Sequence, residues 1–133
     1  MAAKAEALSN ALLDHTLRNV ADTPPAAVYV ALYTVAPTAT TSGTEVTTAG
    51  GTLYNRVAVT FNAAASAACD NLGAVTFAAA GASWGTVVAA AIVDNATPGA
   101  GNVLYFGNLT ASKVVGIGDQ LNFAAGALVV SES

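Results

Sequence analysis

The stretch that decides the fold runs from residue 26 to residue 61. It has a strand-like segment at each end, AAVYVALYTV at residues 26–35 and LYNRVAVTF at residues 53–61. Both segments alternate with period two and are rich in valine and aromatic residues, which is typical of β-strands. In the first segment, Val28, Val30 and Leu32 are predicted to share one face. Residues 36–52 between the segments are rich in Thr and Gly and nearly free of charge, which predicts a long loop that is either mobile or an interaction arm.

The rest of the chain continues this pattern of short apolar runs separated by turn sequences. The further predicted strands are 73–77, 86–93, 103–106, 113–115, 120–123 and 127–130. The sequence DNATPGAGN at residues 94–102 predicts a hairpin connection. About eight short strands at such spacings predict a mainly β fold, a single-domain antiparallel β-sandwich or jelly roll over residues 26–133.

The N-terminal part of the chain, residues 1–25, is predicted to be an amphipathic helix followed by a proline linker. The helix is expected over residues 2–20, with Asp14 and Arg18 forming an ion pair one turn apart. Its apolar residues fall on one broad side of a helical wheel: Leu8, Leu12, Leu13, Leu17 and Val20. Pro24 and Pro25 end the helix, since proline cannot continue it. The apolar side must pack either on the chain's own sheet or on a neighbouring subunit.

Composition and charge exclude several classes of function. Only 9% of the 133 residues are charged, against roughly 25% in an average soluble domain, which favours a surface that is covered by copies of the chain or by a partner. Four Lys and Arg residues and a net charge of −4 exclude a nucleic-acid binder. A single cysteine excludes an internal disulfide. We expect no signal peptide and no membrane span, and therefore synthesis in a cytoplasm.

The residues that could carry chemistry each have a structural interpretation. His15 and Cys69 stand without partners in the sequence, and Asp94 and Asp119 lie in glycine-rich turns, where carboxylates accept bonds from backbone N–H groups. Calcium at Asp94 is a minor alternative. Three aromatic residues could stack on a sugar but are predicted to be core: Tyr54, Trp84 and Tyr105. We predict no catalytic residue, metal, cofactor or small-molecule substrate.

A set of motifs in a fixed order carries a family resemblance. These are SNALLDH from residue 9, PAAVYVALYTVAPT from residue 25, GTEV from residue 43, YNRVAVTF from residue 54, AVTF from residue 74, LYFGNLT from residue 104 and DQLNFAAGAL from residue 119. In these motifs the chain resembles a family of small virion proteins of tailed bacteriophages, whose members often carry the label tail fibre protein. It also looks like the jelly-roll cement, or decoration, proteins of icosahedral phage capsids.

The resemblance implies a non-enzymatic virion component made in the host bacterial cytoplasm. The main interpretation is a cement protein that binds the major capsid protein across its seams as a homodimer or homotrimer. The capsid surface is favoured over the tail because the chain is predicted to be a single compact domain and the sequence shows neither shaft repeats nor coiled-coil heptads. The alternatives are a tail or tail-fibre component, including a receptor- or glycan-binding module, and a cell-wall hydrolase. The predicted interface residues are Leu8, Leu12, Leu13, Leu17, Thr38, Thr40, Thr44 and Val46.

Overall fold

The computed structural model describes residues 3–131, and these residues form ten β-strands and one helix. The elements are β1 (Ala3–Lys4), α1 (Glu6–Arg18), β2 (Val28–Val35), β3 (Thr44–Glu45), β4 (Val57–Val59), β5 (Ala68–Asp70), β6 (Val75–Thr76), β7 (Gly85–Val93), β8 (Val103–Val115), β9 (Asn122–Phe123) and β10 (Val129–Ser131). Every strand pairing is antiparallel. The mainly β class with one N-terminal helix is therefore confirmed.

The centre of the fold is β2, the strand at the start of the stretch that decides the fold. On one side it pairs with β7, and on the other side it pairs first with β4 and then with β3. The full order of the main sheet is β1-β8-β7-β2-β3, with β4 also on β2. Two small sheets, β10-β5 and β6-β9, complete the fold. The 36–52 loop contains β3, which pairs near the end of β2. The chain then runs along β2 to β4, which pairs near the start of β2.

The two faces of β2 bury two different apolar clusters, as its alternation predicts. Val30 and Leu32 belong to the larger cluster, which includes Val75 of β6 and is packed by Phe123 of β9 and Val130 of β10. This cluster fills the space between the main sheet and the two small sheets. The opposite face carries a smaller cluster made largely of small residues, consisting of Ala31, Tyr33, Ala89, Ala91 and Val93. Both faces of the middle of β2, residues 30–33, are thus removed from water.

Three aromatic rings form the middle of the larger cluster. Tyr54 stacks on Phe77 with ring centres 6.3 Å apart, and Trp84 meets Tyr54 edge-on at 5.4 Å. The indole N–H of Trp84 donates to the Thr52 carbonyl oxygen at 2.8 Å, so the one polar atom of the ring is satisfied inside the core. Tyr54 and Trp84 are both buried. This confirms that these aromatic residues are core residues.

The two predicted strands at 103–106 and 113–115 are in fact one strand, β8. It pairs with β7 near both of its ends, through residues 103–108 and 113–115. Between the pairs Val87–Lys113 and Ala89–Asn108, Val88 alone stands opposite residues 109–112. The polar residues at 108–112, which suggest a connection in the sequence, are therefore a bulge within a continuous strand. The predicted hairpin at 94–102 is confirmed as the β7–β8 connection.

The predicted helix is shortened at both ends. At the N-terminus, Ala3–Lys4 pairs with Tyr105 and Phe106 of β8, so this part of the alanine-rich run is strand; residue 2 lies outside the described residues. At the C-terminus, Asn19 adopts a left-handed conformation with φ 56°, and its backbone N–H donates to the Asp14 carbonyl oxygen. This cap ends the helix at Arg18, well before the prolines.

Asn71 joins the small sheets and is almost completely buried. Its side-chain N–H groups donate to the carbonyl oxygens of Gly73 and Ala124, at 2.7 and 3.0 Å. Its side-chain oxygen accepts from the Leu128 N–H at 2.9 Å. One amide thus binds the segment after β5 to the chain on both sides of residues 125–127.

Candidate interaction surface

Helix α1 has two apolar sides that differ in exposure. Leu8 and Leu12 are half-buried, whereas Leu13 and Leu17 are 56% and 75% exposed. At 100° per residue the two pairs are separated by about 140° around the helix axis. No residue of the helix is buried. The single broad apolar side of the sequence prediction is therefore divided into a half-buried side and an exposed one.

The start of the helix is attached to the β domain by backbone hydrogen bonds. The Ala5 N–H donates to the Leu104 carbonyl oxygen at 2.9 Å, and the Glu6 N–H donates to the Ala39 carbonyl oxygen at 2.8 Å. The partly buried apolar side chains that pack on the two core clusters come from the strands and loops of the described chain, not from the helix. The helix is thus attached at its first turn, while Leu13 and Leu17 in its later turns are exposed.

The first half of the Thr/Gly loop is ordered by its own hydrogen bonds. The Thr38 and Thr41 hydroxyls are 2.7 Å apart, and the Thr38 N–H donates to the Thr41 carbonyl oxygen at 2.9 Å. Thr40, between them, is exposed. Gly43 has φ +62°, and a Cβ atom on it would lie 2.7 Å from the Pro37 nitrogen, so only glycine fits this turn. This part of the loop presents threonine side chains on a fixed backbone.

The second half of the loop is already part of the protein's own sheet. Thr44–Glu45 forms β3 on β2, and the Val46 N–H donates to the Leu32 carbonyl oxygen at 3.0 Å. Val46 is 2% exposed and belongs to the larger core cluster. Val46 is therefore a core residue and not a surface residue, and the strand that the loop could add to a neighbour is added to β2 instead. Thr38, Thr40 and Thr44 remain exposed.

Glu45 and Arg56 form a buried ion pair that the sequence analysis missed. The guanidinium group donates to both carboxylate oxygens, from Nη2 to Oε1 at 2.8 Å and from Nε to Oε2 at 2.9 Å. The side chains are only 12% and 3% exposed. The Tyr54 hydroxyl also donates to Glu45, at 2.6 Å, and accepts from the Leu32 N–H. Such two-point pairing between Arg and a carboxylate is strong and orienting.

The same ion pair fixes the β7–β8 turn. Arg56 Nη1 donates to the carbonyl oxygens of Asn95 and Ala100, at 2.7 and 2.8 Å. The Gly99 N–H donates to Glu45 Oε1 at 2.9 Å. Since these partners come from three separate parts of the chain, the pair connects β3, the segment before β4 and the hairpin turn.

The electrostatics of the pair follow from burial and hydrogen bonding together. Burial alone would raise the pKa of Glu45, but the bonds from Arg56, Tyr54 and Gly99 outweigh it and hold the pKa below its ordinary value. Burial, and then the nearby Glu45 carboxylate, raises the pKa of Tyr33 to about 12. Glu45 is therefore ionised and Tyr33 neutral near neutral pH. The cluster stabilises structure and supplies no proton in that range.

Sequence signals for this cluster exist but are weak. Glu45 and Arg56 are oppositely charged residues within strand-like segments of a chain that has few charges, and a charge in such a segment is rarely left unpaired. Nothing in the sequence shows that β3 and the segment before β4 meet on the same side of β2. That proximity is a product of the tertiary fold.

The residues considered for chemistry have the structural roles that the sequence suggests. The Asp94 carboxylate accepts from the Asn102 N–H at 2.7 Å, and the Asp119 carboxylate accepts from the Gly116 N–H at 2.9 Å. Burial, followed by the charge of Asp70, raises the pKa of the Cys69 thiol, which lowers its thiolate fraction. His15 Nδ1 lies 3.0 Å from the Val20 carbonyl oxygen at the helix end.

Two open grooves lie on the surface of the described chain. One, of about 470 Å³, is apolar and separates the main sheet from β10; Tyr105, Leu109 and Val130 contribute to its lining. The other, of about 320 Å³, lies between the Thr/Gly loop and the β7–β8 turn. Its charged lining residues are Glu45 and Arg56, which bind each other.

The fold and this surface define a small β-structured protein with a helix that carries two exposed leucines, Leu13 and Leu17. Within residues 3–131, no three His, Cys, Asp or Glu side chains gather where they could hold a metal ion. Nor does any helix in that range have the length and apolarity to cross a membrane.

Comparison with known proteins gives the family. The model of the family described as Podophage GP4 fiber I protein gp80 matches residues 3–131. The chain belongs to this family, and it is thus a bacteriophage virion structural protein of the fibre type. No curated protein matches it. The predicted resemblance to small phage virion proteins is confirmed at this level.

Proposed function

We propose that this protein is a non-enzymatic structural component of a phage tail fibre. The observation that carries the proposal is the family match, which extends from β1 through the last described strand and so includes both the helix and the β domain. The protein would work by occupying a fixed place in the particle, where its binding surface joins it to neighbouring subunits. This is the alternative interpretation of the sequence analysis, and the family description favours it over capsid cement.

The architecture supports a passive, load-bearing role. The β domain contains a completely bonded ion pair and a core on both faces of its central strand. Buried side-chain polar atoms of the described chain all have partners. The exposed side of α1 provides apolar area that the chain itself does not cover. A partner that binds only the folded form of this protein would stabilise that folded form by mass action.

The same structure argues against two of the other interpretations. Stacking of a sugar on Tyr54 or Trp84 would require rings that the core already encloses, so these residues do not support a glycan site. Hydrolysis of the cell wall would require carboxylates directed into a cleft. Glu45, which lines the polar groove, is instead neutralised by Arg56, and Asp94 and Asp119 accept bonds from turn backbone.

The test is the position and copy number of the protein in purified particles. Antibody-labelled electron microscopy should mark the tail, and quantitative mass spectrometry should give far less than one copy per major capsid protein. A copy number near a simple ratio to the capsid protein, with label on the head, would overturn the fibre proposal in favour of cement. Absence from purified particles would overturn both.

A further inference from the structure

We infer that α1 associates with the same helix of a second copy of this chain, side by side and in the same direction. The contact surface is the outer stripe, defined as Asn10, Leu13 and Leu17. The inference rests on the proposed structural role and names the partner of the exposed surface. It also predicts an orientation, which makes it testable on the purified protein.

The spacing of the outer stripe is that of a coiled-coil contact. Positions 10, 13 and 17 within the helix are separated by three and four residues, which is the a, d, a spacing of a heptad. Asn10, Leu13 and Leu17 are all exposed, Leu17 most of all at 75%. Leu8 and Leu12 lie outside this pattern and are the half-buried pair. The difference in exposure thus distinguishes the heptad-spaced leucines from Leu8 and Leu12, which obscure this spacing when only the sequence is considered.

Asn10 determines the direction. In a parallel pair each a residue faces the a residue of its partner, so the Asn10 amides can bond to each other. In an antiparallel pair aligned on Leu13 and Leu17, Asn10 would lie opposite the end of the partner helix, beyond Arg18, and would not face the Asn10 amide of the partner. An amide without a hydrogen-bond partner in an apolar contact destabilises that contact. Asn10 therefore favours the parallel arrangement and also favours a second copy over an unrelated apolar surface.

The residues that flank the stripe agree with this direction. Ser9 and Asp14 occupy the g and e positions, and a parallel pair places Ser9 of one helix near Asp14 of the other, with no like charges together. An antiparallel pair would bring the two Asp14 carboxylates toward each other. Arg18 lies away from the contact, where it bonds to Asp14 of its own helix at 3.0 Å.

Glu6 limits the contact to the later part of the helix. It occupies the d position one heptad before Leu13, so the carboxylates of two copies would meet there. Its N–H is also bonded to the β domain through the Ala39 carbonyl oxygen. The contact accordingly spans residues 10–17. A contact this short gives an association that depends on concentration, since short helices contribute little by themselves.

Sedimentation equilibrium of the full chain over a concentration series tests the association. The wild-type mass should rise to a multiple of the monomer mass, and Leu17→Ser should raise the dissociation constant at least about tenfold. Ile117→Ser is the matched control, because Ile117 is equally exposed at 78% but lies in a turn far along the chain from α1; it should leave the constant unchanged. Glu6→Gln should tighten association. Circular dichroism checks that all the variants are folded.

Cysteine cross-linking tests the direction, in a Cys69→Ala background. Leu13→Cys, which keeps Asn10, should form a covalent dimer on mild oxidation, because a parallel pair places the two positions face to face. A mixture of Leu13→Cys and Leu17→Cys should give few mixed dimers, since only an antiparallel pair places these two positions opposite each other. Predominant mixed dimers would overturn the parallel arrangement, as would a wild type that stays monomeric or an Ile117→Ser variant that dissociates as readily as Leu17→Ser. A monomeric protein that is nevertheless found in the tail would overturn this inference alone and leave the proposed function standing.

Discussion

Arginine forms an ion pair in two regions of this molecule, and the two pairs differ in almost every respect. Arg56 binds Glu45 at 2.8 Å with side chains 3% and 12% exposed, whereas Arg18 binds Asp14 at 3.0 Å with side chains 70% and 43% exposed. The first pair connects three parts of the β domain, and the second lies within one turn of α1. The distances are alike, so burial and the number of partners make the difference.

The comparison shows which surfaces of the protein are complete. In the β domain, the buried side-chain polar atoms have partners and the central strand β2 packs against an apolar cluster on each face. On α1, no residue is buried, and Leu13 and Leu17 are 56% and 75% exposed. The β domain thus has an interior of its own, whereas α1 contributes no buried residue to it. The predictions below test this contrast.

The largest effect is expected from Arg56→Ala. It leaves the Glu45 carboxylate buried without its guanidinium partner and releases the carbonyl oxygens of Asn95 and Ala100, so we expect the free energy of unfolding to fall by about 3–5 kcal/mol. Arg18→Ala is the matched control and should change it by about 0.5 kcal/mol or less. Chemical denaturation of both variants measures this. Equal losses would remove the contrast between the two regions.

A smaller loss, about 2 kcal/mol, is expected for Asn71→Ala. The variant leaves the Leu128 N–H and the Gly73 and Ala124 carbonyl oxygens without the side-chain partner they have now. Asn62→Ala is the control, because Asn62 is exposed and bonds only to Asp70; it should stay within about 0.5 kcal/mol. Urea titrations of both variants decide, and a neutral Asn71→Ala would show that the small sheets hold without this amide.

A pH effect follows from Glu45. Its pKa is depressed in the folded protein, so its contribution to stability is present above the ordinary pKa of about 4.5 and is lost as the pH falls through the lower, folded value. Thermal melting as a function of pH should therefore show acid destabilisation in the wild type that is reduced in Glu45→Gln. The reverse order of the two profiles would mean that the folded carboxyl has a raised pKa.

The smallest effect on stability is expected for Leu17→Ser. Because Leu17 is exposed, the free energy of unfolding of the dilute monomer should change by about 0.5 kcal/mol or less, even though association is lost. Leu32→Ala, at a completely buried leucine of β2, should cost about 2–5 kcal/mol. Denaturation at low protein concentration compares them. A large loss in Leu17→Ser would mean that the outer stripe packs on its own domain.

The fold could be predicted where a single segment contains its own signal. The alternation of Val30 and Leu32 with Ala31 and Tyr33 assigns each residue to the correct face of β2, and the turn residues at 94–102 locate the hairpin. The ends of α1 could not be predicted in this way. β1 exists because the edge of β8 is available to pair with it, and Asn19 ends the helix by its backbone conformation. Both depend on contacts or dihedral angles that composition does not show.

Some residues of the candidate site could likewise be identified from the sequence, and others could not. The leucines of α1 and the exposed threonines of the loop are visible in the sequence as candidates, and their role at an interface remains a prediction. The burial of Val46 was not foreseeable, because a Thr/Gly loop predicts exposure while β3 draws this residue into the core. The Glu45–Arg56 pair was likewise hidden, since 10 residues lie between the partners in the chain.

By itself the sequence determined the mainly β class, the two-faced central strand, the amphipathic helix and the low charge, because period, propensity and composition are local properties of the chain. Only the tertiary structure decided which apolar residues are left uncovered. Leu8, Leu12, Leu13 and Leu17 are chemically identical, and the sequence assigns them all to one side. Attachment of the first turn to Ala39 and Leu104 fixes the helix on the β domain, and the resulting exposure distinguishes Leu13 and Leu17 from Leu8 and Leu12. Which leucines are covered depends on contacts between segments that are distant in the chain. A local sequence pattern contains no information about those contacts.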